Sequence, residues 1–254
     1  MSMLAGIQKG VIHKPPRMVI YGPHGVGKTS LSAGAPAPII VQAEDGADEI
    51  GVDRFPLSTT YEHMMDCLET LVNEEHSYQT CILDSADWAE RLVTDYVCRR
   101  EGWRTIAQPD FGKGFAALSE EWMQFMAMLK SVHERGMALI ITAHAEVTHF
   151  DDPTTEGYDR YQIALNKRTA PELQEGVDAV LFMNWRIVTA EAKEGMGRKI
   201  TKGKGNGARV LYTEERPAAL AKNRYRMPYR IDLPNEPEGM FGAVSQHIPF
   251  FSAQ

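Results

Sequence analysis

Eight consecutive residues, Gly22-Pro-His-Gly-Val-Gly-Lys28-Thr29, constrain this 254-residue chain more tightly than any other feature. They meet the pattern G-x-x-x-x-G-K-[ST] at every specified position. Met18-Val-Ile-Tyr21 before them reads as a short apolar strand. Thr29 to Ala33 after them opens a helix that Gly34 and the Pro36/Pro38 pair stop. Glycines let successive backbone N–H groups curl around phosphate oxygens, and the helix start adds positive potential. The expected phosphate-cradling set is therefore Gly22, Pro23, His24, Gly25, Val26, Gly27, Lys28, Thr29 and Ser30. Lys28 would reach the outer phosphates of a nucleoside triphosphate, and the Thr29 hydroxyl would hold Mg2+.

Such a loop needs a sheet around it. Pro38–Gln42, Gln79–Asp84, Met137–Ala143 and Val177–Met183 are short apolar runs of strand character. Residues 60–75, Ala86–Arg100 and Gly114–Glu134 carry helical periodicity; in the first, Met64, Met65, Leu68, Leu71 and Val72 share one face. Alternating apolar strands and amphipathic helices predict an α/β fold, a mostly parallel twisted sheet flanked by helices. After Asn184 the pattern changes. Arg186–Ala190 and Ala208–Thr213 alternate like the strands of a C-terminal β-hairpin extension, joined by a glycine-rich basic loop over 193–207. The expected division is a lead-in over 1–16, a core over 17–233 that includes the basic hairpin at about 185–215, and an irregular tail over 234–254.

Two carboxylates fall where ligands sit in open α/β sheets, past the carboxyl ends of strands. Asp84 ends Cys81-Ile-Leu-Asp84 and suits a magnesium-side ligand, or with Ser85 a cap for the next helix. Glu44 follows Pro38–Gln42 and suits a base that orients water, with Asp45 and Asp48 as competing neighbours.

Composition excludes several classes. No apolar run approaches the roughly 18 residues of a membrane span, and no signal-peptide pattern opens the chain. Cys67, Cys81 and Cys98 are too widely spaced for a disulfide framework or a zinc pattern, which suits a reducing cytoplasm. The net charge of −7 argues against a generally sticky nucleic-acid binder. Yet residues 191–230 hold eleven Lys/Arg against four Glu, which points to one localised anionic partner.

Taken in order, the phosphate loop, Gln42-Ala-Glu44, Leu83-Asp84-Ser85, Ile140-Ile-Thr-Ala-His144 and Lys222-Asn-Arg224 resemble the RecA-like P-loop NTPase core. Within it the chain is similar to the phage-encoded Sak-type single-strand annealing recombinases, from about Arg17 to Arg230. The resemblance implies ATP and Mg2+ as cofactors. It implies Glu44 as the catalytic glutamate and Asp84 as the metal-side aspartate beside Thr29. His144 stands where that family carries a polar γ-phosphate sensor, usually Gln. Lys222 and Arg224 match a basic pair that reaches a neighbouring subunit's nucleotide and neutralises charge on the transferred phosphoryl group. The implied catalytic set is Lys28, Glu44, His144, Lys222 and Arg224, acting in a homo-oligomeric ring or filament.

The family's two DNA-facing loops fall here at Gly102–Gly114 and Ala145–Glu175. The first carries Trp103, Arg104, Phe111 and Lys113, the second Phe150, Tyr158, Arg160, Tyr161, Lys167 and Arg168. Aromatics interleaved with cations suit single strands, whose bases stack while their phosphates meet charge. The expectation is a Mg2+-dependent, DNA-stimulated ATP hydrolase that binds single-stranded DNA and supports phage recombination or strand annealing. Its setting would be the cytoplasm of a bacterial host, with a single-strand-binding protein as partner and no membrane. A hexameric helicase or packaging-type motor, a P-loop nucleotide kinase and an ATP-gated scaffold with negligible turnover are the alternatives.

Overall fold

The structure, a computed structural model, describes Ile7, residues 9–194 and residues 198–252, with the backbone alone over 187–206. In chain order the elements are β1 (Arg17–Gly22), α1 (Lys28–Ala33), β2 (Pro38–Gln42), β3 (Asp53–Arg54), α2 (Tyr61–Asn73), β4 (Thr80–Asp84), α3 (Ala86–Glu101) and α4 (Lys113–Glu134). Then come β5 (Ala138–Phe150), β6 (Tyr158–Ile163), α5 (Ala170–Gly176), β7 (Ala179–Glu194), β8 (Arg198–Tyr212), β9 (Lys222–Asn223), β10 (Arg230–Leu233), α6 (Pro237–Ser245) and α7 (Pro249–Ser252).

The expected α/β fold with a mostly parallel central sheet is what forms. Strand order is β10-β8-β7-β1-β5-β4-β2-β3, and every pair from β7 to β3 is parallel. Parallel sheets must be covered on both faces, and the residues alternate accordingly. Val19 and Tyr21 of β1 join the core under α2, α3 and α4, while Met18 and Ile20 join a second core with α1 and α6. Leu139 and Ile141 of β5 divide from Ile140 in the same way.

Three expectations about irregular segments are corrected. The tail is not irregular: Met240, Phe241, Val244 and Ile248 are buried, and α6 packs against α1. Pro237 occupies the first turn of α6, where a missing N–H costs nothing. The basic stretch 193–207 is not a loop but largely strand. Its backbone pairs antiparallel from Ile187↔Gly205 to Glu194↔Arg198, and residues 195–197 lie outside the described residues. Finally, Ala145–Glu175 is mostly ordered structure. Residues 145–150 continue β5, pair with β6 as a hairpin, and lead into α5.

These continuations have one geometric consequence. β1 is flanked by β5 and β7, both parallel to it, with Gly22↔His144 and Tyr21↔Phe182 in register. Both neighbours run on after β1 ends. Two antiparallel ribbons therefore extend past the sheet edge where β1 hands over to its loop. The β7–β8 ribbon adds eight paired residues beyond its root, about 25 Å at 3.3 Å per residue.

Candidate functional site

Gly22, Gln42, Asp84 and His144 come to one edge because β1, β2, β4 and β5 are parallel and nearly in register. The phosphate loop closes over that edge. Gly25 and Gly27 adopt positive φ (70° and 101°), which residues with a Cβ seldom do. Gly22 is needed for space, since a Cβ there would strike the Met183 carbonyl of β7. The Lys28 ammonium folds back onto the loop's own carbonyls, 3.2 Å from Gly22 O and 3.1 Å from Pro23 O. Lys28 is buried, and burial holds its pKa below the ordinary lysine value although Asp84, Glu44 and Asp87 pull it up.

Asp84 ties three elements together. Its Oδ2 accepts from Thr29 Oγ1 of α1 at 2.9 Å, and its Oδ1 accepts from Thr142 Oγ1 of β5. Its backbone carbonyl takes the N–H groups of Ala43 and Glu44. The helix-cap alternative for Asp84 and Ser85 therefore fails: Ser85 at the start of α3 makes no side-chain cap. Its hydroxyl instead donates to Glu44 Oε2 at 2.9 Å, fixing that carboxylate at the cleft wall. Of the neighbours that might compete with Glu44, Asp45 also lines the cleft, and Asp48 pairs with Arg54.

His144 is held from behind by a residue that the motifs do not flag. Asp87, in the first turn of α3, accepts from His144 N at 3.0 Å and lies 2.9 Å from Nδ1. An ionised carboxylate only accepts, so Nδ1 carries the proton toward it. Burial alone would raise the Asp87 pKa, but the His144 contacts outweigh it and hold the carboxyl below its ordinary value. The His24 ring stacks on His144 at 3.7 Å between centroids, and Glu44 Oε2 lies 3.8 Å from His144 Nδ1. His24, Glu44 and His144 bring possible metal-ligating atoms within 4.8 Å of one another. Near-parallel stacked rings, however, aim their in-plane lone pairs alongside rather than at one point. The Thr29 hydroxyl and the Asp84 carboxylate, 2.9 Å apart, are hard oxygen donors of the kind that Mg2+ takes.

The cleft has a volume of about 330 Å3 and is lined by His24, Gly25, Gly27, Lys28, Thr29, Ser30, Glu44, Asp84 and His144 among others. Nine residues singled out from the sequence thus meet at one site. Lys222 and Arg224 do not join them. Asn223 between them pairs with Ala179, level with Met18 at the other edge of the sheet. Gly22 is four residues further on, about 13 Å along the strands. Lys222 Nζ donates to the carbonyls of Gln174 and Val177, and Arg224 pairs with Asp178 at 3.1 Å. Sequence reasoning missed Asp87 altogether, and it missed what Thr142 and Ser85 do. Each acts through a partner more than 40 positions away, so no local pattern announces it.

Among the described residues no helix is long and apolar enough to cross a membrane. No curated protein matches the chain. A family model described as an AAA domain matches residues 14–225, a span that holds the phosphate loop, Glu44, Asp84 and His144. The chain therefore belongs to the AAA domain family AAA_24, as a nucleotide-binding ATPase of the phosphate-loop type.

Proposed function

We propose that this ATPase is Mg2+-dependent and works on single-stranded DNA, in strand annealing or homologous recombination like the phage Sak-type recombinases. The observation that carries the reading is the β7–β8 ribbon, which leaves the sheet beside the phosphate loop. Residues 185–209 hold seven Lys/Arg against two Glu, in a chain whose net charge is −7. A protruding basic arm on an acidic body is a place for a polyanion. The kinase alternative needs that basic stretch as a lid over an acceptor pocket. Here it continues the sheet, which favours a track over a lid.

The geometry of the cleft supports these nucleotide-side roles. Thr29 and Asp84 would hold Mg2+, which screens the phosphate charge when bound. Lys28 would exchange the Gly22 and Pro23 carbonyls for phosphate oxygens. Glu44, steadied by Ser85, would orient the attacking water. His144, with Nδ1 engaged by Asp87, would read the outer phosphate through its other nitrogen. Lys222 and Arg224 lie away from their own chain's cleft, so their expected contact is with a neighbour's nucleotide in a ring or filament. Arg224 is more than half exposed, as such a reach requires. A single-strand-binding protein as partner rests on the resemblance alone.

The test is ATP turnover with and without single-stranded DNA, together with oligonucleotide affinity at 50 and 200 mM salt. The expected result is stimulation, with affinity falling by roughly 0.7 log unit per log unit of salt for each phosphate neutralised. Turnover indifferent to DNA, with phosphate passed to a nucleoside monophosphate, would establish the kinase instead.

A further inference from the structure

At the root of the basic ribbon, Arg209 of β8 faces Trp185 of β7 in the ladder, and its guanidinium lies over the indole at 5.0 Å. One terminal nitrogen donates to the Asn235 carbonyl at 3.1 Å. The guanidinium also reaches the phosphate loop: a Cβ on Gly27 would sit 3.6 Å from Arg209 Nε and 3.7 Å from Met183 Cε. That Nε is buried, and among the described residues it has no hydrogen-bond partner. Arginine cannot shed its proton, so an unused buried N–H is a standing cost in this state. The ribbon is also irregular at this point. Trp185↔Arg209 is followed by Ile187↔Gly205, so three residues of β8 stand against Arg186 alone, and Gly207 takes φ 76°. Bulges of this kind bend a strand pair and re-aim what lies beyond.

We propose that Arg209 is a latch coupling the phosphate loop to the direction of the β7–β8 ribbon. Closing the loop on a triphosphate pulls Lys28 off the Gly22 and Pro23 carbonyls and shifts the Gly27 backbone beside it. The Arg209 Nε–H then gains an acceptor on the rearranged loop, and the guanidinium moves on the Trp185 ring. Because the bulge at Gly207 follows at once, that small movement swings the arm. Coupling is reciprocal, so an occupied ribbon also favours the closed loop. The proposal rests on reading the ribbon as the DNA contact, and it adds the residue through which nucleotide and DNA feel each other. Arg209 is a positioning residue here, not a group that touches the reacting atoms.

The experiment uses the full chain, Mg2+ with a non-hydrolysable ATP analogue, and a fluorescent oligothymidylate. Trp185 supplies a second readout, isolated from the other three tryptophans by Trp185→Phe. In the unmodified protein the analogue should change tryptophan emission and shift oligonucleotide affinity by about tenfold, within the usual range for coupled sites. Arg209→Ala and Arg209→Gln should bind the analogue within about threefold of normal yet lose both responses. Arg209→Lys, which keeps charge but not the planar stack, should recover only part of them. The latch is overturned by an undiminished affinity shift in folded Arg209 variants, by an emission change that survives Trp185→Phe, or by loss of analogue binding itself. If the unmodified protein binds no oligonucleotide, the DNA reading fails alone and emission decides: a response lost with Arg209 upholds the contact, and a response retained refutes it.

Discussion

Replacing Asp87 with Asn removes one charge and leaves the shape almost unchanged, which isolates the support behind His144. The carboxylate serves the His144 backbone N–H at 3.0 Å and its Nδ1 at 2.9 Å, in a side chain only 8% exposed. Two hydrogen bonds to an ionised acceptor contribute about 1.5–3 kcal/mol each. The amide oxygen keeps the backbone N–H and its NH2 donates to Nδ1 once the ring proton has moved to Nε2, each bond at the neutral value of about 1 kcal/mol. The net loss is about 1–4 kcal/mol. For a chain of this size that lowers the melting temperature by roughly 2–16 °C, at 2–4 °C per kcal/mol. Urea unfolding and calorimetry at pH 7 measure it directly.

Acid supplies an internal control. The folded Asp87 pKa lies below its unfolded value, so this stabilisation is present above about pH 3.9 and disappears as pH falls through the folded value. The gap between the two proteins should therefore close below about pH 4. Facing an amide NH2, the ring must also move its proton to Nε2, which reverses what the cleft sees and should depress turnover. A variant within 1 kcal/mol of the parent at neutral pH, or a gap independent of acid, would refute this account of Asp87.

Two further outcomes are expected. Phe241→Ala should destabilise the nucleotide-free protein by about 3–5 kcal/mol in urea unfolding, because the side chain is 5% exposed and its ring sits in the core with α1, edge-on to Phe251 at 5.2 Å. Arg224→Ala should bind Mg–ATP normally but hydrolyse it at least tenfold more slowly. Mixing it with Glu44→Gln should restore part of the rate, and a mixture no faster than its components would remove Arg224 from a neighbour's site.

What could be read in advance follows from where each interaction lives. Strand β2 was legible at both ends because Pro38-Ile-Ile-Val-Gln42 is a bare apolar run between turns. The phosphate loop was legible because its partners are its own backbone. The register that sets Thr142 beside Asp84 was not legible, since it depends on how β4 and β5 slide together across 58 positions. The β5–β6 hairpin was hidden by polarity: beyond the sheet both strands lose their buried faces, and with them the alternation that marks a strand. In the ribbon, glycines at 203, 205 and 207 imitate a loop. In the tail, Pro234, Pro237 and Pro249 masked the helical spacing of Met240, Phe241, Val244 and Ile248.

The support that α6 gives α1 also carries a schedule. The helix carrying Lys28 and Thr29 rests on residues near 240, more than 200 positions downstream. During synthesis the phosphate loop leaves the ribosome well before α6, and the face of its helix that α6 covers stays bare until residues 237–245 emerge. The helix that would grip fuel is thus made early but floored late, after residues 185–209 of the basic ribbon have already emerged.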